Sequence, residues 1–152
     1  MGDPVRQLGH DHADINRRVL ILASIMAELE RGGRVPVPES LVAALDALRE
    51  ALFLHFAREE EGLFPFVIEA LPELGTQVRE METGHDAICG ALARMFELAR
   101  AKTEVTAIAP LFHRFETAYA EHARVEAAVL QVLAERLDDA QRVRLAALVK
   151  GL

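Results

Sequence analysis

The chain has 152 residues, about half of them apolar, which suits one domain with a sizeable core. Its 17 Lys and Arg stand against 24 Asp and Glu, so the formal charge is -7. This balance argues against a nucleic-acid or anionic-membrane partner, because both need a concentrated basic patch. Cys89 is the only cysteine, which excludes an intramolecular disulfide and predicts a reducing, cytoplasmic setting. No secretion signal or membrane-spanning apolar run is expected.

Apolar residues at helical spacing form four long segments and a short fifth, separated by Pro and Gly. The first helix is predicted over about 4–31, with Asp3 as its N-cap and Pro4 in its first turn. A loop rich in Gly and Pro follows at 32–38. The next two helices are predicted over about 39–71, with a kink at Pro65, and over about 72–102.

The fourth long helix is predicted over about 105–136, with Pro110 tolerated near its start. A short fifth helix follows at about 139–150, where Asp138 and Gln141 resemble a capping box. Four long helices with short connections indicate an all-α fold, an antiparallel up-down-up-down four-helix bundle with a short C-terminal fifth helix. No second domain is indicated, so we expect a single bundle domain over residues 1–152.

Each long helix carries one stripe of apolar side chains, and polar residues interrupt every stripe. The interruptions are His12, His55, Glu59, His85, His122 and Glu126. Burying a carboxylate or an unpaired imidazole is costly unless a partner compensates it. Metal ions bind imidazole nitrogen and carboxylate oxygen, so a metal site is the simplest explanation of this pattern.

The depth of the six residues supports the same interpretation. In an antiparallel bundle they fall in one layer about 12 Å thick, at a rise of about 1.5 Å per residue. The His-x-x-x-Glu spacing places both groups on one face of a helix. Two such helices can supply two bridging carboxylates, and two histidines then remain for each of two metals. A bridging oxo or hydroxo group would leave one position open for a small molecule, which indicates binding or chemistry.

Four motifs contain these residues: Gly9-His10-Asp11-His12, His55-Phe-Ala-Arg-Glu59-Glu-Glu, Glu82-Thr-Gly-His85 and Glu121-His122-Ala-Arg-Val-Glu126. They resemble the hemerythrin-like, or HHE cation-binding, domains, and the resemblance covers nearly the whole chain. It implies an antiparallel four-helix bundle with an oxo-bridged di-iron site that binds oxygen, nitric oxide or peroxide.

The chain differs from the oxygen-carrying hemerythrins, which have a His-x-x-x-His pair on the third helix. Here the positions four residues either side of His85 are Met81 and Cys89, and Glu126 stands where those proteins have Asp. These differences argue against reversible oxygen carriage. The pattern is closer to the branch with four His and two Glu, which is linked to iron or oxygen sensing or to peroxide and nitric oxide chemistry.

Other polar residues near the motifs are interpreted as peripheral. Glu60 and Glu61 follow Glu59 directly and are predicted to be surface acids. His10 and His113 lie on helix faces nearly opposite the proposed ligands, so both are predicted to face solvent.

Three further features are left with two interpretations. Tyr119 shares a helix face with His122, where its phenol could hydrogen-bond a carboxylate or a bound oxygen species, or simply anchor the bundle edge. Cys89 is interpreted as a small buried residue in preference to a redox group. Four glycines within the helices could admit close backbone approach or ligand access: Gly9, Gly62, Gly84 and Gly90.

The predicted function is a non-haem di-iron protein that binds or senses oxygen, nitric oxide or peroxide at an open metal position. A di-iron enzyme that turns over peroxide or nitric oxide is the first alternative. Binding is favoured, because only Tyr119 could serve as an acid–base group. The second alternative is a helical interaction module without metal or with zinc, and zinc and manganese both remain alternative metals. Ferritin-like oxidases are weaker, because no Glu-x-x-His pair lies on the stripes.

Overall fold

The computed structural model describes residues 3–32 and 37–150, leaving aside the side chains at positions 4, 7, 9, 10 and 150. Within these residues the chain is helical and has no β-strand, so the predicted all-α class is confirmed. None of the described helices is long and apolar enough to cross a lipid bilayer. Part of the predicted loop, residues 33–36, and the predicted orientation of His10 lie outside the described residues.

The helical elements follow the predicted segments closely. In chain order they are α1 (Pro4–Arg31), α2 (Glu39–Arg58), a π-helical turn (Glu59–Leu63), α3 (Phe64–Ala70), a 3-10 turn (Pro72–Leu74), α4 (Gly75–Arg100), α5 (Val105–Arg136) and α6 (Asp139–Lys150).

Local capping chemistry explains where α1 and α6 begin. The Asp3 carboxylate accepts a hydrogen bond of 3.1 Å from the Val5 N–H, ahead of the first turn of α1. Before α6, the Gln141 N–H donates to the Asp138 carboxylate at 2.8 Å. The Asp138 N–H donates in return to the Gln141 side chain at 3.0 Å. The predicted capping box is therefore present.

The predicted second helix is interrupted one turn earlier than the expected kink at Pro65. The Phe64 N–H bonds to the carbonyl of Glu59, five residues back, which is the spacing of a π-helix. Pro65 has no N–H to offer the carbonyl of Glu61, four residues back. The hydrogen-bond ladder thus widens in the turn before the proline, and Glu59 lies at the start of that turn.

The third long helix also differs slightly from its predicted bounds. Pro72 opens a short 3-10 turn, and the regular helix α4 begins only at Gly75. It ends at Arg100, and Lys102 then takes a left-handed conformation with φ of 55°. A left-handed residue cannot continue a right-handed helix, so the segment stops two residues earlier than expected.

Each long helix packs against two others: α1 against α2 and α5, and α4 against α2 and α5. Two clusters of buried apolar side chains form the core. The first joins the later parts of α1 and α4 to α2 and the early part of α5. The second joins Leu8 to residues 63–81 and 125–149. The predicted stripe on each long helix continues the three- and four-residue spacing of its polar candidates, and its apolar residues are buried apart from Leu29 of α1 and Ala118 of α5, which are partly buried.

Candidate metal centre

The six candidate ligands lie between the two apolar clusters. On α1, His12 is flanked by Leu8 of one cluster and Ile15 of the other. The other long helices show the same change of cluster around their polar residues. Five of the six side chains are at most 4% exposed: His55, Glu59, His85, His122 and Glu126. His12 is 24% exposed, so the layer meets solvent on the α1 side.

Four of the residues form a first group, His12, His55, Glu59 and Glu126, with ligand atoms that all lie within 4.8 Å of one another. Glu126 Oε2 lies 2.8 Å from His12 Nε2, and Glu126 Oε1 lies 3.4 Å from His55 Nε2. Glu59 Oε1 lies 3.2 Å from His55 Nε2. Two imidazoles and two carboxylates therefore point at a common centre.

Glu59, His85 and His122 form a second group under the same limit of 4.8 Å. Glu59 Oε1 lies 3.1 Å from His85 Nε2 and 3.8 Å from His122 Nε2. Glu126 Oε2 also approaches this group, at 3.1 Å from His122 Nε2. Both carboxylates thus lie between the two groups, with Glu59 common to both.

Several buried ligand atoms have no hydrogen-bond partner within the described part of the chain. They are His55 Nε2, Glu59 Oε2, His122 Nδ1, His122 Nε2 and Glu126 Oε1. His55 Nε2 lies near Glu59 Oε1 but lacks the geometry of a hydrogen bond. Metal ligands sit about 2.0–2.2 Å from the ion, so ligand atoms on one metal are about 3 to 3.5 Å apart. The observed separations and the mixed nitrogen and oxygen donors fit a cation in each group.

The negative charges of the two carboxylates, Glu59 and Glu126, destabilise each other. Burial raises the pKa of Glu59 well above its usual value, and the charge of Glu126 raises it further. Burial acts in the same sense on Glu126, but hydrogen bonds with Glu59 and His12 hold the pKa of Glu126 well below its usual value. Ionisation of one carboxyl group disfavours ionisation of the other. A cation between them would relieve this conflict.

Burial affects two of the histidines in different ways. Burial lowers the pKa of His85 to about 3, and the neighbouring His122 adds to the effect. Burial also disfavours protonated His55, but the contact with Asp11 and the nearby negative charges of Glu126 and Glu59 outweigh it and raise the pKa of His55 to about 10. His85 is therefore neutral at physiological pH, which is the form of imidazole that binds metal.

Glu60 is exposed, as predicted, but its carboxylate also contacts the site through His85. Phe56 stacks on the His85 ring with centroids 3.7 Å apart, and Phe64 stacks at 5.4 Å. His85 Nδ1 lies 2.9 Å from Glu60 Oε1, although the Glu60 side chain is 50% exposed. The π-helical turn places Glu59 on one nitrogen of this ring and Glu60 on the other. Glu61 is exposed, as predicted.

Asp11 is a second partner of the site that sequence reasoning missed. Its Oδ2 atom accepts a hydrogen bond of 2.9 Å from Arg58 and lies 3.5 Å from His55 Nδ1. These contacts lower the pKa of Asp11, although burial opposes them. The only available signal was its place beside His12, because the contact itself joins two different helices.

A cavity of about 160 Å³ lies beside the ligand atoms, between α1, α2 and α5. His12, Asn16, Tyr119 and Glu126 are among the residues that line it. The Tyr119 hydroxyl donates a hydrogen bond to Asn16 Oδ1 across the cavity. Burial raises the pKa of Tyr119, and the charge of Glu126 adds to this, so the phenol keeps its proton.

Two other polar residues lie away from the layer. Cys89 is partly buried, and burial raises the pKa of its thiol to about 11, with the charge of Glu60 contributing. The protonated thiol agrees with its interpretation as a small packing residue. His113 is 60% exposed, as predicted, and its Nε2 lies 3.1 Å from Glu30.

The hemerythrin HHE cation-binding domain family matches residues 3–134. The chain belongs to this family. All six candidate ligands of this hemerythrin-like domain lie within the matched residues, whereas α6 lies beyond them. The family and the clustered His and Glu side chains fit a metal-binding protein. No curated protein matches the sequence significantly.

Proposed function

We propose that this hemerythrin-like chain holds two iron ions in its core and binds a small ligand, oxygen, nitric oxide or peroxide, beside them. The nitrogen ligands would be His12, His55, His85 and His122, and the bridging carboxylates Glu59 and Glu126. One observation carries the proposal: two groups of buried ligand atoms adjoin each other and share Glu59. A single mononuclear site would not need a carboxylate common to two groups.

The proposal includes the antiparallel course of the four long helices. The apolar clusters support it, because the first cluster takes late residues of α1 and α4 and early residues of α5. The second cluster takes Leu8 of α1 and late residues of α5. Alternating chain direction brings such residues to the same end. A cytoplasmic location, predicted from the lone cysteine, would keep the site in a reducing setting.

Iron accepts this mixed nitrogen and oxygen donor set, as zinc does, and a pair of iron ions sharing carboxylates is the arrangement proposed. Structural zinc sites are usually four-coordinate, with one closed set of ligands per ion. Two adjoining groups with shared carboxylates instead offer each ion an incomplete set of protein ligands, which leaves a place for an exogenous one. When bound, iron would supply redox chemistry and an affinity for diatomic ligands. The chain contributes neutral imidazole, negative charge and an apolar enclosure.

The cavity supports a small ligand. At about 160 Å³ it is smaller than the 300–1,000 Å³ typical of pockets for drug-sized molecules. It lies against His12 and Glu126 of the first group, so its occupant would be next to the proposed metals. Oxygen, nitric oxide and peroxide all fit such a space.

Turnover of peroxide or nitric oxide is the second candidate function, and Tyr119 favours it. The phenol lines the cavity and keeps its proton, so its O–H could turn from Asn16 to an occupant. Turnover of peroxide or nitric oxide consumes protons, and a protonated phenol beside the site could supply one. Stopped-flow mixing of the reduced protein with peroxide or nitric oxide separates the two, because only an enzyme consumes many equivalents per site.

Metal analysis tests the proposal directly. Protein from iron-replete cells should contain two iron ions per chain and show an oxo-to-iron absorption band. Chelation should remove both, and added Fe²⁺ under anaerobic conditions should restore them. A fully folded protein that contains no metal, or that retains only zinc, would contradict the proposal and favour an interaction module.

A further inference from the structure

Helix α6 lies directly against the π-helical turn. Two of its apolar residues, Leu145 and Val149, are at most 6% exposed and belong to the second apolar cluster. The helix lies outside the residues matched by the family. It is therefore an addition to the matched domain that contacts the segment supplying Glu59.

The contact is a backbone-to-backbone approach at Gly62. A Cβ atom at this position would lie 3.1 Å from the Leu148 carbonyl oxygen and 3.4 Å from Val149 Cα. Both neighbours are backbone atoms, which cannot swing away as a flexible side chain can. Because Gly62 has no side chain, the backbone of α6 packs directly against the π-helical turn. Any larger residue at this position must displace either α6 or the turn.

Polar contacts anchor α6 at points away from this turn. The Arg142 guanidinium donates to the Ala134 carbonyl at 2.7 Å, close to the end of α5. Arg144 pairs with Glu69 of α3 and lies over the Phe66 ring, 5.9 Å from its centroid. These contacts hold the first half of α6 against α5 and α3. Its C-terminal half then packs against Gly62.

We propose that α6 is a positioning element that holds the π-helical turn in the geometry required by the metal site. A π-helical turn is rare and depends on its surroundings. This one carries Glu59, which both ligand groups share, and Glu60, which contacts His85. Displacing the turn would move both carboxylates together. The inference rests on the proposed function, because the geometry matters only if the site binds metal.

The proposal has a reciprocal consequence. If docking of α6 favours the turn geometry that binds metal, then metal binding must favour docking of α6 by the same factor. Amide hydrogen exchange within α6 should therefore slow when metal is added, although no α6 residue belongs to either ligand group.

The test uses the full chain and Co²⁺, whose visible absorption reports its ligands. Gly62→Ala should weaken Co²⁺ binding at least tenfold and alter the absorption band. Leu41→Ala is the matched control, because Leu41 is fully buried in the first cluster and its loss destabilises the fold without touching the turn. It should lower the unfolding midpoint and leave the Co²⁺ band unchanged. Leu145→Ala loosens α6 from its own side and should weaken binding about threefold or more.

The outcomes separate the two proposals. Co²⁺ binding by wild type with unchanged affinity and band in Gly62→Ala and Leu145→Ala would overturn the positioning role alone. The same holds if metal leaves hydrogen exchange in α6 unchanged. If Gly62→Ala does not fold, Leu145→Ala and the wild-type exchange measurement decide. Wild-type protein that binds no metal would overturn the proposed function and this inference with it.

Discussion

The two ligand groups differ in how they meet their surroundings. The first includes His12, which is 24% exposed, and adjoins the cavity between α1, α2 and α5. The second contains His85, which is 2% exposed, stacked between Phe56 and Phe64. The cavity of about 160 Å³ also reaches His122 of the second group, and His122 lines a further cavity of about 560 Å³ between α4 and α5. The two groups therefore differ in how firmly an imidazole is packed, and both have space beside them for a small molecule.

Because of this difference, two histidines with the same proposed role as ligands lie in different surroundings. His12 and His85 are both proposed to donate one nitrogen, yet only His85 is enclosed by packing. A packed imidazole keeps its orientation without metal, which preorganises the site. A partly exposed imidazole can adjust as ligands come and go. Substitutions in each group test whether the two groups differ in this way.

The largest effect should come from Glu59→Gln, because Glu59 belongs to both groups. We expect both metals to bind at least about 100-fold more weakly, since the shared carboxylate is lost. The metal-free protein should instead gain about 1 kcal/mol or more at neutral pH, because a buried carboxyl group whose ionisation is disfavoured beside Glu126 is removed. Metal titration and chemical denaturation measure the two effects, and Glu61→Gln on the exposed side is the control.

The effect of Glu59 on the stability of the metal-free protein should depend on pH. A raised pKa of Glu59 means that the folded state holds its proton longer than the unfolded state. The contribution of Glu59 to the stability of the metal-free protein should therefore fall as the pH rises above the usual carboxyl value of 4.5. Glu59→Gln should reduce that loss. The lowered pKa of His85 acts in the opposite sense below about 6.5, so the effect of Glu59 is read as the difference between wild type and variant. Unchanged metal binding together with lower stability would show that Glu59 is a structural carboxylate and not a metal ligand.

Replacing the two histidines compares the groups directly. His85→Ala should lower the free energy of unfolding of the metal-free protein by about 2–4 kcal/mol, because it empties a site between two aromatic rings. His12→Ala should cost about 1 kcal/mol or less, because water can fill the partly exposed position. Urea denaturation measures both. Equal costs would show that enclosure by Phe56 and Phe64 does not distinguish the groups.

Glu60 should matter less than the ligands but more than its neighbours. Glu60→Ala removes the partner of His85 Nδ1 and should weaken metal binding about 10- to 100-fold. Glu60→Gln keeps an acceptor oxygen and should recover part of that loss. Glu61→Ala provides the control on the same turn. Equal metal affinities for Glu60→Ala and Glu61→Ala would show that the contact of Glu60 with His85 does not support the site.

The helix bounds and the six converging residues could be predicted from the sequence. Helix bounds depend on local spacing and capping, and both bounds of α1, α5 and α6 were predicted to the residue. The six converging residues could be chosen because polar groups on apolar stripes are conspicuous. Whether they bind metal stays a prediction.

The remaining features depend on structure beyond one helix. The π-helical turn arises where Pro65 follows a helix that continues on both sides, and helical periodicity alone predicted only a kink. Glu60 lies on that turn, and its contact with His85 joins the turn to α4, so spacing within one helix could not reveal it. The Asp11 contact with His55 joins α1 to α2, so no spacing within α1 could reveal it. Both misses involve partners of the ligands and none of the six candidates.

The smallest effect should come from two glycines of α4. A Cβ at Gly84 would lie 3.2 Å from His122 Nδ1, whereas one at Gly90 would meet nothing within 4 Å. Gly90→Ala should stabilise the protein by about 0.5–1 kcal/mol through helix propensity alone. Gly84→Ala should gain less, because the imidazole must shift by a few tenths of an ångström, and it should alter the metal absorption band. Equal gains with identical spectra would mean that the His122 ring can shift without a measurable cost. Of the two histidines in the second group, only His85 would then be held rigidly by its packing.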